Sequence, residues 1–158
     1  MNDIKRLTIG RSSSKTVRVF ARLGDSEVHW VNDDGRFRRT SCSGHGCENC
    51  ADSRPQTRWT LGVIDMEDGE AKLLEVGAQI MSEIIEFTTG HPLYSFSIGV
   101  PRRQPRRLDH YDILIQNNGT FGGYKVTFYK AKPLKKSETD KVIVFLSDLA
   151  ERAISVHA

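Results

Sequence analysis

Thr57-Arg-Trp-Thr-Leu-Gly-Val-Ile-Asp65, followed by Met66-Glu-Asp-Gly-Glu70 and Ala71-Lys-Leu-Leu-Glu-Val76, is the stretch that decides the fold class. Two strand-like runs joined by a short acidic turn with a glycine predict an antiparallel hairpin. The same grammar recurs on both sides. Thr16-Val-Arg-Val-Phe-Ala-Arg22 alternates apolar with basic residues at the period of a half-buried strand, and Glu27-Val-His-Trp-Val31 alternates likewise. Asn32-Asp-Asp-Gly35 is a turn leading into Phe37-Arg-Arg-Thr40, a second hairpin. Later, Tyr111-Asp-Ile-Leu-Ile115 and Tyr124-Lys-Val-Thr-Phe-Tyr129 read as strands around the turn cluster Asn117-Asn-Gly-Thr-Phe-Gly-Gly123. The stretch 88–108, rich in Gly, Pro and Arg, reads as an irregular loop with room for a short strand at 94–100.

Between the hairpins lies Cys42-Ser-Gly-His-Gly-Cys-Glu-Asn-Cys-Ala-Asp-Ser53, too small and polar for regular structure. All three cysteines of the chain fall here, at 42, 47 and 50. An odd, clustered set does not make a disulfide framework. A Cys-x2-Cys knuckle presents two thiolates to one ion from a tight turn, and zinc takes four ligands in a tetrahedron. The fourth is His29 or His45. His45 lies between Cys42 and Cys47, where reaching the same ion cramps the loop. His29 lies on the preceding strand and would tie the loop to the sheet, so it is favoured; the alternative stays open at this level. Four protein ligands leave no position for water, so such a zinc is structural. Nucleobase deaminases use His-x-Glu with Pro-Cys-x-x-Cys. Here Trp30 and Val31 follow His29, and Gly46 precedes Cys47. Asp109-His110 with the Asn and Gly cluster downstream faintly suggests an HNH nuclease, but that fold's second Cys pair and late histidine are missing. The expectation is no enzyme.

Two helices complete the inventory. Residues 77–87 carry Ile80, Met81, Ile84 and Ile85 as one apolar stripe. A last helix starts near Ser137, where Ser137 and Asp140 approximate a capping box, and its apolar face is read as Val142, Ile143, Leu146, Leu149, Ala150 and Ala153. The chain is therefore expected to be mainly β (α+β). It should form an OB-fold barrel with an inserted zinc loop, a short inter-strand helix and a C-terminal helix. Its 158 residues suit one domain over 1–158, with a zinc-binding subdomain at about 27–54 and the final helix at about 137–154.

Hydrophobic residues at 38% and charged residues at 27% describe a soluble globular chain. No run approaches the roughly 18 apolar residues of a membrane helix, and no apolar h-region follows Met1–Arg6, so a cytoplasmic location without membrane contact is expected. The net charge of +3 conceals segregation: +4 over residues 1–60, −6 over 61–100, +7 over 101–136 and −2 over 137–158. Two basic blocks folded onto one side would concentrate a polyanion. Single strands are bound by basic grooves interleaved with aromatic platforms. Trp30, Phe37-Arg38-Arg39, Arg58-Trp59 and Tyr124-Lys125 each set an aromatic on or beside such a strand or hairpin. Pro101-Arg-Arg-Gln-Pro-Arg-Arg107 adds Arg102, Arg103, Arg106 and Arg107 as a phosphate clamp.

In this order the residues resemble the zinc-containing, OB-fold single-stranded DNA-binding proteins of tailed bacteriophages, over roughly residues 15–130. Thr16–Phe20 resembles the family's first barrel strand, and Val28-His29 its strand bearing the zinc histidine. Cys42, Cys47 and Cys50 resemble its zinc cysteines. Arg58–Asp65 with Gly69–Leu74 resembles the aromatic strand and hairpin after the zinc loop. Residues 109–115, then Gly119 and Tyr124–Val126, resemble the late strand pair. The resemblance implies largely sequence-independent, cooperative coating of single-stranded DNA in phage replication, recombination and repair, inside the infected bacterial host. It implies a structural zinc and a cleft lined by Arg58 and Trp59. Members commonly end in an acidic tail that recruits replication partners; Arg152-Ala-Ile-Ser-Val-His-Ala158 is not one. The basic, Ser-rich residues 1–15 could mediate contacts between neighbouring copies instead. The rival reading is a zinc-braced phage module acting on host transcription or replication machinery, using the acidic block and the last helix. The two diverge on whether Arg58, Trp59 and the 102–107 arginines share a face.

Overall fold

The computed structural model describes residues 3–91, 104–119 and 123–157, the side chains of 153–157 excepted. Seven strands form one mixed, open sheet: β1 (Arg6–Leu7), β2 (Ser14–Asp33), β3 (Arg36–Ser41), β4 (Gln56–Asp65), β5 (Ala71–Val76), β6 (Tyr111–Asn117) and β7 (Tyr124–Lys130). Helix α1 (Ala78–Thr89) joins β5 to β6, and α2 (Lys136–His157) ends the chain. The order across the sheet is β1-β5-β4-β2-β6-β7, with β3 paired to the far end of β2. Among the described residues the sheet does not close. The expectation of a mainly β chain with two helices holds.

The strand pieces expected at 16–22 and 27–31 are one strand of 20 residues. Its register against β4 slips between Val19 and Ala21 and again between Arg22 and Gly24. Gly24, at φ +148°, takes a conformation that side chains rarely adopt. The bulges bend β2 without ending it. It therefore carries β4 along one edge, and β6 then β3 along the other, because Val17 faces both Asp65 and Ile113 and Val28 faces both Gln56 and Ser41. The β2–β3 turn is as expected. Asp34 and Gly35 both sit at positive φ, 51° and 84°, and the Gly35 N–H donates to Asn32 Oδ1 at 2.9 Å.

One core lies inside the curl. Val17, Val19, Trp59, Leu61, Val63, Leu74, Val76, Ile113 and Ile115 point into it from the sheet. The α1 stripe of Ile80, Met81 and Ile84 closes it from below, as its spacing predicts. The N-terminal segment crosses the open side. Leu73 N–H donates to Lys5 O, and Asn117 N–H to Ser13 O, each at 2.9 Å. β1 thereby occupies the outer edge of β5.

Two expectations about α2 need correction. It starts at Lys136, and the Glu138 carboxylate, not Ser137, caps it by accepting from Lys135 N–H at 2.9 Å. Among its described side chains Phe145 is the buried one, while Ile143 and Leu146 of the expected apolar face are exposed and the side chain of Ala153 falls outside the description. Phe145 docks edge-on to Phe20, ring centroids 5.6 Å apart. Phe20 in turn lies flat on Gly62, where any Cβ would come within 2.7 Å of the ring. A slot made by strand residues far away in sequence chose the helix face. The strand considered at 94–100 falls outside the described residues.

Candidate metal centre

His29 is fully buried on β2, on the face opposite Trp30. The loop after β3 folds back beneath it. Cys42 N–H donates to Glu27 O at 2.9 Å, and a single 3-10 turn, Glu48–Ala51, delivers the knuckle. Gly44 and Gly46, both at φ +83°, make the tight approach to Cys47. The result gathers His29, Cys42, Cys47 and Cys50, whose ligand atoms lie within 4.8 Å of one another. His45 is exposed and outside the group, so the open choice resolves to His29.

The distances fit a tetrahedral ion. Bonds of about 2.3 Å to sulfur and 2.0–2.1 Å to nitrogen place tetrahedral sulfurs about 3.8 Å apart and a sulfur about 3.5 Å from the nitrogen. Cys42 Sγ and Cys50 Sγ are 3.6 Å apart; His29 Nε2 is 3.6 Å from Cys47 Sγ and 3.5 Å from Cys50 Sγ. The thiols are free, not disulfide-bonded. Ser53 Oγ lies 3.0 Å from His29 Nδ1, which orients the ring and leaves Nε2 toward the sulfurs. The thiols also disagree about ionisation. Hydrogen bonds from Ser43, first by its side chain and then by its backbone, lower the Cys47 thiol to about 6. The Cys42 hydrogen bond, then burial, push Cys50 up to about 11. The group can hold one metal ion, and a Cys3His set favours zinc chemistry.

The opposite face of the same hairpin carries the aromatics. Register places Trp30, Phe37 and Arg39 together on it, and puts His29, Arg38 and Thr40 on the metal side. Gln56, Arg58 and Glu75 continue this front face across β4 and β5. Trp30 is 42% and Phe37 72% exposed. Trp30 Nε1 donates to Gln56 Oε1 at 3.2 Å, which fixes the indole. Arg39 and Arg58 both grip Glu75, at 2.6 and 3.2 Å. Burial raises that carboxyl, but the two guanidinium hydrogen bonds outweigh it and hold it below the ordinary value. Beyond the clasp, Arg6, Arg39, Glu75 and the half-exposed ring of Tyr124 line a cleft of about 220 Å³.

The remaining sequence candidates part company. Trp59 is 5% exposed within the core, so it is no platform for a base. Arg38 faces Asp33 on the other side at 3.9 Å. Lys125 is exposed next to Tyr124 but on the alternate face of β7. Arg106 lies 5.8 Å over the Phe87 ring and 3.5 Å from the Tyr111 hydroxyl, while Arg107 pairs with Asp109 at 2.9 Å. Phe87 is in the last turn of α1, and Gln79, which bonds the Tyr124 backbone, is in its first. The 106–107 arginines and the front face thus sit at opposite ends of α1. Arg102 and Arg103 fall outside the described residues. His110 is exposed, and the metal group above is the sole cluster of its kind among the described residues. Sequence reasoning missed Ser53, Gln56 and Glu75. Only Glu75 left a trace, as the one acidic residue in a strand opposite arginine-bearing Arg58-Trp59.

No protein-family model, curated protein or solved structure matches the chain. Among the described residues, no helix is long and apolar enough to cross a membrane.

Proposed function

We propose that the chain is a single-stranded DNA-binding protein whose structural zinc stiffens the hairpin that meets the strand. The observation that carries this reading is the front of that hairpin. Two aromatic rings stand exposed there with two arginines beside them, on the reverse of a Cys3His group. Trp30 and Phe37 stack bases, each worth about 1–3 kcal/mol. Arg39 and Arg58 exchange part of their hold on Glu75 for phosphate. Arg106, Arg107 and Lys125 belong to a second basic region that the strand reaches after leaving the aromatic face. The binding is independent of sequence, because every base has a π-face, and no catalysis is involved.

The sheet supports an OB barrel opened at its seam. β5-β4-β2-β6-β7 is the order 3-2-1-4-5 of such a barrel, with α1 between its third and fourth strands and β1 lying in the gap. With the resemblance to the phage family, this points to strand coating in replication, recombination and repair within an infected bacterial cytoplasm, among copies of itself and phage replication or recombination proteins.

The test is tryptophan fluorescence during titration with poly(dT) and with duplex DNA, at low and high salt. Trp59 is enclosed, so quenching reports Trp30. Quenching by the single strand, weakened by salt with a slope of about −0.7 per phosphate contact, and loss of about 10²-fold affinity in Trp30→Ala/Phe37→Ala are expected. Equal binding to duplex would reduce the face to a generic basic surface. Absence of binding to either polymer would move the reading to a protein partner.

A further inference from the structure

At the other end of β5, α2 meets the sheet through buried Phe145. Phe145 is held in the Phe20–Gly62 slot, and from there α2, the N-terminal segment and the β4–β5 turn enclose a groove of about 640 Å³. That is the size of an ordinary binding cavity. Its floor is apolar: Ile4, Ala71, Val144 and Phe145. Val144 is 55% exposed, and Ile143 and Leu146 continue the aliphatic surface outward. An unfilled apolar cleft on a half-docked helix is surface that a partner would remove from water.

The rim decides which partner. Lys5 and Lys141 share the Glu70 carboxylate, at 3.9 and 3.0 Å, and the carboxylates lining the groove, Asp3, Glu70, Asp140 and Asp148, outnumber these two lysines. Asp140 and Asp148 line the groove with no ion-pair partner among the described residues. They stand four residues before and four after Val144. On a helix this sets carboxylate, apolar spot and carboxylate in one row, about 6 Å apart along the axis. Such a rim repels a phosphate backbone and complements cations spaced about one helical turn from an apolar anchor.

We propose that this groove docks a basic amphipathic segment of a partner protein. An aliphatic or aromatic side chain of that segment fills the space over Val144 and Phe145, and Lys or Arg residues on either side reach Asp140 and Asp148. Glu70 precedes β5 and Glu75 lies near its end, so the groove and the aromatic face sit toward its two ends and can be filled together. The inference stands without the DNA reading.

The test uses the full metal-loaded chain and a fluorescein-labelled Leu/Lys amphipathic peptide of about four helical turns, beside a Leu/Glu peptide with the same apolar face. Anisotropy should show binding of the Leu/Lys peptide alone. Asp140→Lys/Asp148→Lys should weaken it at least about tenfold, and so should Val144→Glu. All three positions are at the surface or half-buried, so the fold persists. Asp25→Lys/Glu83→Lys makes the same change of net charge on exposed residues elsewhere and should bind as the parent does. Poly(dT) should not displace the peptide. The proposal is overturned if the distant reversal weakens binding as much as the groove reversal, if the Leu/Glu peptide binds equally, or if poly(dT) competes. It is equally overturned if the chain self-associates and the groove variants dissolve the oligomer, since the occupant is then a second copy.

Discussion

The β2–β3 hairpin and helix α2 are both appendages of the same curled sheet, and they are held by opposite means. β3 contributes no buried residue: five of its six positions are exposed and one is half-buried. Burial at this end is confined to Val28, His29 and Cys47, beside or within the cysteine group. Its organisers are discrete and polar, namely the His29/Cys3 group behind and the Glu75 clasp in front. α2 has almost none of that. It rests on one aromatic wedge, Phe145 against Phe20, with the Lys141–Glu70 pair beside it. The hairpin end, where β3 buries nothing, depends on polar geometry; α2 depends chiefly on one well-shaped residue.

With zinc in the His29/Cys3 group, as proposed, removing it should have the largest effect and should separate the two regions. Apparent zinc-binding energies of about 10–16 kcal/mol in small finger peptides match or exceed the whole stability of a typical domain. Chelation, or Cys47→Ser, should leave the amides of residues 28–54 exchanging at unprotected rates, while β4, β5 and β6 keep their protection. Trp30 emission should move toward that of a free indole, and buried Trp59 should not change. Acid should act as a chelator does, since protons compete for thiolates. If the hairpin amides stay protected without metal, the contrast drawn above fails.

Phe145→Ala probes the other region. Truncating a buried phenylalanine costs about 3–5 kcal/mol, and at the end of the chain the loss should be local. Far-UV circular dichroism should report a drop in helix content and thermal melting a lower midpoint. The metal group and the Trp30 environment should be unchanged. A cooperative collapse of both regions would mean that α2 is integral to the sheet, not appended to it.

The same contrast explains what could be read in the chain. The metal group was legible because chelation imposes short-range rules: Cys47-x2-Cys50, with Cys42 close by, has few other uses. Loop reach favoured His29 over His45, and the fold settles the choice by placing His29 with the cysteines. The Asn32–Gly35 turn was legible for a similar reason, since its geometry wants residues that tolerate positive φ. Burial obeys no such local rule. The aliphatic stripe Ile143/Leu146 looked like the buried side of α2, yet the slot over Gly62 selects Phe145 from outside that stripe. Trp59 was expected at the surface of a cleft and is buried, although the signal was present: it shares strand parity with Leu61 and Val63, whereas Arg58 shares it with Thr60 and Gly62. The continuity of β2 through Gly24 had no local signature, because a bulge and a turn draw on the same residues.

Glu75→Gln should have the smallest effect and the sharpest sign. The clasp is partly exposed, so its contribution is discounted to about 1 kcal/mol or less. Its arginine bonds hold the Glu75 carboxyl below the ordinary value despite burial. A depressed carboxyl stabilises the fold fully above the unfolded-state value and loses that contribution as pH falls through the folded one. The parent should therefore exceed Glu75→Gln in denaturant stability at neutral pH, with the gap closing in acid. Affinity for poly(dT) should move the other way. Without the carboxylate, Arg39 and Arg58 are left to phosphate, and binding should tighten a few-fold, about 1 kcal/mol. A variant both less stable and weaker in DNA binding would make Glu75 a prop for the face. A variant less stable but tighter would make it a competitor with DNA for the same two guanidinium groups, as expected if the polar organisation of the hairpin end exists to be partly undone by its ligand.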